Sequence, residues 1–97
     1  MTPYTLELSS AAWQDLKFIQ RQYPMIYKEI IITCLPQLAF EPLTCSEALK
    51  GDLSELHAYH FHRKPEFRII FQLIKQIVLV IAIGSHDEAY RKAKQRN

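Results

Sequence analysis

Only two glycines, Gly51 and Gly84, occur in 97 residues, and no tract is built from Gly, Ser or Pro, so no flexible linker, repeat or low-complexity tail divides the chain. One domain spanning residues 1–97 is expected, large enough for a single core. No apolar run approaches the ~18 residues that cross a bilayer. The N-terminus, MTPYTLELSS, has no basic segment followed by an apolar stretch. A cytoplasmic location without a membrane partner follows. Cysteines number two, Cys34 in an apolar helical stretch and Cys45 in a polar connection, and free thiols are the expectation there. The GxGxxG, P-loop, HExxH and GxSxG patterns are all absent, which removes the usual dinucleotide, nucleotide-triphosphate, zinc-protease and serine-hydrolase signatures.

What is present is an uneven distribution of charge. The net charge of +2 combines a first half, residues 1–49, with three Lys or Arg against five Asp or Glu, and a second half with nine against five and all four histidines. The second half is the one suited to an anion.

The best-patterned stretch is EFRIIFQLIKQIVLVIAIGSHDEAYR, residues 66–91. From Glu66 to Ile74 alternation puts Phe67, Ile69, Phe71 and Leu73 on one face and Glu66, Arg68, Ile70 and Gln72 on the other, which predicts a strand whose Arg68 points away from the main core. Lys75 and Gln76 separate it from Ile77 to Ile83, apolar on both faces and therefore interior to a sheet. Gly84 breaks that strand. Ser85 or Asp87 can cap a helix in which His86 and Tyr90, four residues apart, share a side.

Upstream, Tyr4 to Leu8 reads as a short strand. Ser9 or Ser10 caps a first helix carrying Trp13, Leu16, Ile19 and Tyr23, all expected in the core. Pro24 opens a second helix with Met25, Ile26, Ile30, Cys34 and Leu38 as its buried stripe, and Pro36 should kink or stop it near Thr33 to Leu35. Residues 40–50 form a connection with a helical turn at Ser46 to Leu49. In Leu56 to His62, burying Tyr59 and Phe61 sends Ala58, His60 and His62 to the opposite face. Arg63, Lys64 and Pro65 make the hairpin tip. The Ile77 strand, being interior, needs a second neighbour, and Tyr4 to Leu8 is the one remaining. The helices then cover one face of the sheet and the other stays open, bearing Arg68, His60, His62 and, at one end, His86 and Tyr90.

A face with imidazoles, a guanidinium and a phenol but no clustered carboxylates suits an anionic substrate. Such a set can cleave RNA without a metal or other cofactor: a base takes the 2′-hydroxyl proton, a cation stabilises the charged phosphorane, and an acid protonates the leaving oxygen. The bland readings are a surface arginine, a capping histidine and a packing tyrosine. His57, His60 and His62 as zinc ligands lack a third ligand at a recognisable spacing, so no metal site is assigned.

Three segments carry a family resemblance: Leu49-Lys50-Gly51-Asp52-Leu53, Glu66-Phe67-Arg68-Ile69-Ile70-Phe71 and Gly84-Ser85-His86-Asp87-Glu88-Ala89-Tyr90. With the β-α-α-β-β-β order they resemble the RelE/ParE superfamily of bacterial toxin-antitoxin toxins, most closely the RelE- and YafQ-like branch. The resemblance implies an α+β, two-layer RelE-like fold: an antiparallel sheet of about four strands, two N-terminal helices on one face and a short C-terminal helix. It implies a toxin that a cognate antitoxin neutralises and that cuts mRNA on the ribosome as an endoribonuclease. Arg68 would hold the scissile phosphate, His86 would be general acid or base, Tyr90 would assist it, and His60 would join them. Lys50, His62, Arg63, Lys64 and Arg91 would contact RNA. ParE-like relatives imply instead a non-enzymatic toxin that binds gyrase.

Overall fold

The structure, a computed structural model, describes residues 3–63 and 66–96, without the side chains of His62 and Arg63. A five-stranded sheet in the order β1-β5-β4-β3-β2 forms its centre. The strands are β1 (Thr5–Leu8), β2 (Glu47–Ala48), β3 (Leu56–Arg63), β4 (Glu66–Ile74) and β5 (Ile77–Ser85). As the two-sided apolar run requires, β5 is interior, with β4 antiparallel on one side and β1 on the other. The β1–β5 pair is parallel, so the sheet is mixed rather than wholly antiparallel. Between them the chain crosses over through the helices, as a parallel pair demands.

Helix α1 (Ser10–Gln22) is capped by Ser9, whose Oγ accepts the Ala12 N–H at 3.1 Å. Its buried stripe is Ala12, Asp15, Leu16 and Ile19. Trp13 is therefore not core. It lies one residue, or 100°, from that stripe and is 51% exposed, while the small Ala12 takes the closest approach to the sheet. Tyr23 lies past the end of α1, half-exposed, with its ring edge-on to Phe67 at 5.4 Å. Helix α2 (Pro24–Glu29) begins with Pro24, as expected, yet Met25 is 76% exposed and only Ile26 of that segment is buried.

The chain does not stop at Pro36. A π turn over Ile30–Cys34 leads straight into α3 (Leu35–Phe40), and the Leu35 N–H bonds back to the Ile30 carbonyl. A proline lacks the N–H that the regular ladder needs and its ring presses on the preceding turn; one widened turn absorbs both effects. Ile30, Cys34 and Leu38 stay buried through the irregularity. Both cysteines are free. Residues 46–49 form no helical turn; Glu47 and Ala48 extend as β2 against Ala58 and His57.

The main core lies between the helices and one sheet face, where Leu16, Ile19, Ile30 and Leu38 meet Ile69, Phe71, Val80 and Ile83. Tyr59, Phe61 and Phe67 face the same way, as the alternation predicts. The opposite face is not open. Helix α4 (His86–Arg96), longer than the single turn expected, lies on it through Ala89 and Ala93, against Leu56, Ala58, Ile70 and Ala82. Among the described residues no helix is long and apolar enough to cross a membrane.

Candidate functional site

Three strands and the first turns of α4 converge at one end of the second sheet face. Arg68 of β4 sits opposite His60 of β3 on one side and Gly84 of β5 on the other. Gly84 contributes no side chain, and α4 folds back over the strand end so closely that a Cβ there would meet Glu88 Cβ at 3.4 Å, an ordinary van der Waals contact. His86 and Tyr90 then stand on successive turns, rings edge-on with centroids 5.1 Å apart.

The Arg68 side chain is only 12% exposed, and its donors are aimed rather than free. Nε and Nη2 both donate to Glu66 Oε2, at 3.0 and 2.7 Å, and Nη1 donates to the Tyr90 hydroxyl. Its carbon lies 5.0 Å from the centre of the Tyr90 ring. A guanidinium so fixed presents a set orientation to an incoming anion. The Glu66 carboxyl is held below the usual carboxylate range by the hydrogen bond from Arg68 against a small desolvation penalty, with further help from the charges of Arg68, His60 and His86. Both histidines are thus electrostatic neighbours of the Arg68–Glu66 pair.

His60 and His86 each have a carboxylate partner. His60 Nε2 is 2.8 Å from Glu47 Oε1, and His86 Nδ1 is 2.9 Å from Asp87 Oδ1. A carboxylate can only accept, so the ring nitrogen facing it carries a proton and the other nitrogen is left to take a proton or, in the imidazolium, to give one. The two histidines therefore offer Nδ1 of His60 and Nε2 of His86 for proton transfer on either side of Arg68. His57 points to the other sheet face, where it stacks on Phe71 at 5.4 Å. Among the described residues no group of three or more His, Cys, Asp or Glu is placed to hold a metal.

Of the residues singled out in sequence, Arg68, His60, His86 and Tyr90 come together. Lys50 does not: Leu49 bonds to the Leu56 carbonyl, so Lys50 lies some five residues down β3 from His60, on the order of 17 Å. Arg91 is exposed on α4 next to Tyr90. The side chains of His62 and Arg63, and all of Lys64, lie outside the described residues. Sequence reasoning missed Glu47 and Glu66. Glu66 was legible, because residues two apart on a strand share a face and Glu66 precedes Arg68 by two. Glu47 was not, because a two-residue strand leaves almost no periodic signal.

The geometry meets three solved structures of similar fold. A chain of the RelBE2 toxin-antitoxin complex from Mycobacterium tuberculosis superposes with a TM-score of 0.74 at 19% identity, covering 87% of this chain and 99% of that one. The Staphylococcus aureus YoeB dimer gives 0.66 at 16% identity, with 87% and 98% covered. The Escherichia coli DinJ–YafQ toxin-antitoxin complex gives 0.60 at 17%, with 88% and 94% covered. No curated protein matches in sequence. The family model for the ParE toxin of type II toxin-antitoxin systems matches residues 6–90, nearly the whole fold from β1 to Tyr90. The chain therefore belongs to the ParE toxin family of type II toxin-antitoxin systems, within the RelE/ParE superfamily that its three segments resemble.

Proposed function

We propose that this toxin is a ribosome-dependent endoribonuclease. The observation that carries the proposal is Arg68, oriented by Glu66 and Tyr90, between two histidines that each have a carboxylate behind them. His60, backed by Glu47, takes the proton of an RNA 2′-hydroxyl. The freed oxygen attacks the adjacent phosphorus, Arg68 stabilises the extra negative charge, and His86 protonates the departing 5′-oxygen. The products are a 2′,3′-cyclic phosphate and a 5′-hydroxyl. Arg91, beside Tyr90, supplies a phosphate contact at this centre, and Lys50, His62, Arg63 and Lys64 are the further RNA contacts of this reading.

The partner is a cognate antitoxin, as in the solved RelBE2 and DinJ–YafQ complexes. Trp13, Phe18, Met25, Ile32, Phe40 and Leu43 are all at least half-exposed or nearly so, large apolar side chains of the kind a partner covers. An apolar antitoxin segment laid over them is the natural cover.

In cells, expression of the wild-type chain arrests growth, co-expression of the antitoxin relieves it, and Arg68→Ala or His86→Ala removes it while antitoxin binding persists. Arrest that survives both substitutions contradicts a nuclease. The second reading is a non-enzymatic gyrase inhibitor, favoured by the ParE family match itself; it predicts loss of supercoiling in a purified gyrase assay with mRNA left intact on ribosomes.

A further inference from the structure

We propose that Asp15, on α1 and outside the reaction centre, is a positioning residue that sets the placement of His86 and Tyr90 against Arg68. The inference rests on the ribonuclease reading for its consequence, though not for its geometry. Among the described residues Asp15 is the one buried charged side chain, 5% exposed. Both its oxygens are in use: Oδ2 accepts from the Ile83 N–H at 3.0 Å and from Arg96 Nη1 at 2.8 Å, and Oδ1 from Lys92 Nζ at 3.0 Å and Arg96 Nη2 at 3.3 Å.

The location explains the arrangement. Strand β1 ends at Leu8, opposite Val80, so the rest of β5 has no strand beyond it. Asp15 takes the Ile83 N–H on that bare edge, and Arg96 takes the Ile81 carbonyl at 2.8 Å. The carboxylate is thus a joint between α1, the end of β5 and α4.

What the joint controls follows from helical rotation at 100° per residue. On α4, Lys92 and Arg96 form one stripe, Ala89 and Ala93 the next, and His86 and Tyr90 the third. The middle stripe rests on the sheet through two methyl groups, a smaller footprint than branched side chains would give, with Tyr90 packed beside them. The Asp15 contacts fix one flank one turn apart, at Lys92 and Arg96, and so prevent a roll that would lift Tyr90 off the Arg68 guanidinium on the other flank. A reaction centre 1 Å loose loses much of its rate, and supporting residues are what hold it.

The test uses the purified toxin in three variants, Asp15→Asn, Lys92→Gln and Lys92→Arg, each first shown to be folded by circular dichroism and by antitoxin binding. Two readouts are compared. One is the NMR cross-relaxation between the Arg68 side chain and the Tyr90 ring; the other is kcat and KM for mRNA cleavage on ribosomes. Asp15→Asn and Lys92→Gln are expected to weaken the Arg68–Tyr90 signal and lower kcat by about tenfold or more with KM within about twofold, and Lys92→Arg to restore both. Should Asp15→Asn misfold, the two Lys92 variants decide alone. A folded Asp15→Asn or Lys92→Gln protein with the wild-type signal and kcat overturns the inference. If the wild-type chain does not cut mRNA, the ribonuclease reading falls, and the Arg68–Tyr90 signal by itself then upholds or overturns the positioning role of Asp15.

Discussion

Arg68 is the residue on which the proposed chemistry turns, because it contacts both a carboxylate and a phenol while facing an imidazole across the strand. Its planar fork can hold Glu66 and Tyr90 and still meet a phosphate; an ammonium cannot. Arg68→Lys is therefore expected to behave like Arg68→Ala, with kcat for mRNA cleavage down by ~10²–10³-fold in single-turnover assays. The carboxylates behind the histidines make a separable prediction. Glu47→Ala removes the acceptor of the His60 Nε2 proton, so kcat should fall by roughly 10–100-fold with little change in KM. At this scale the sequence was readable wherever period-two alternation held. Arg68, His60 and the facing of Tyr59 and Phe61 all follow from alternation, whereas Glu47 acquires its partner only when a two-residue strand pairs with β3.

At the level of elements, α1 corrects a common expectation about tryptophan. The stripe through Leu16 and Ile19 is right, but its third member is Ala12, since a large ring at that position would hold the helix off the sheet. Leu16→Ala should then destabilise the protein by about 2–5 kcal/mol in denaturant unfolding, whereas Trp13→Ala should stay within about 1 kcal/mol. Helix α4 depends on a different force. Burial alone would raise the Asp15 carboxyl, but the hydrogen bonds from Arg96, Ile83 and Lys92 outweigh it and hold the group below its ordinary value of 3.8. A depressed folded value means that the stabilisation is fully present above pH 3.8 and disappears as pH falls through the lower folded value. Melting temperatures of wild type and Asp15→Asn should accordingly differ by a constant amount from neutral pH to about pH 4 and converge below it. A gap that stays constant into strong acid would show that the charge of Asp15 contributes nothing. None of this was visible in sequence, because the partners of Asp15 lie 68 to 81 residues away and no periodicity links them.

Across the whole molecule, order and layering were legible while closure was not. The interior character of β5 predicts its two neighbours, and the covering of the first face follows from the two amphipathic helices. The covering of the second face does not, since α4 is mostly polar and seats itself through two alanines. That seat turns an open sheet into a site with walls, and it is what brings Tyr90 onto Arg68. The overall account, a toxin that cuts mRNA by proton transfer between two histidines around a fixed arginine, is tested most directly by primer extension on a translated mRNA with purified ribosomes and purified toxin, wild type beside His86→Ala. The account predicts discrete cuts within the ribosome-occupied codon, ending in 2′,3′-cyclic phosphates, that fall by ~10²–10⁴-fold in the variant. Cuts of equal strength with both proteins, or none with the wild type, would contradict it.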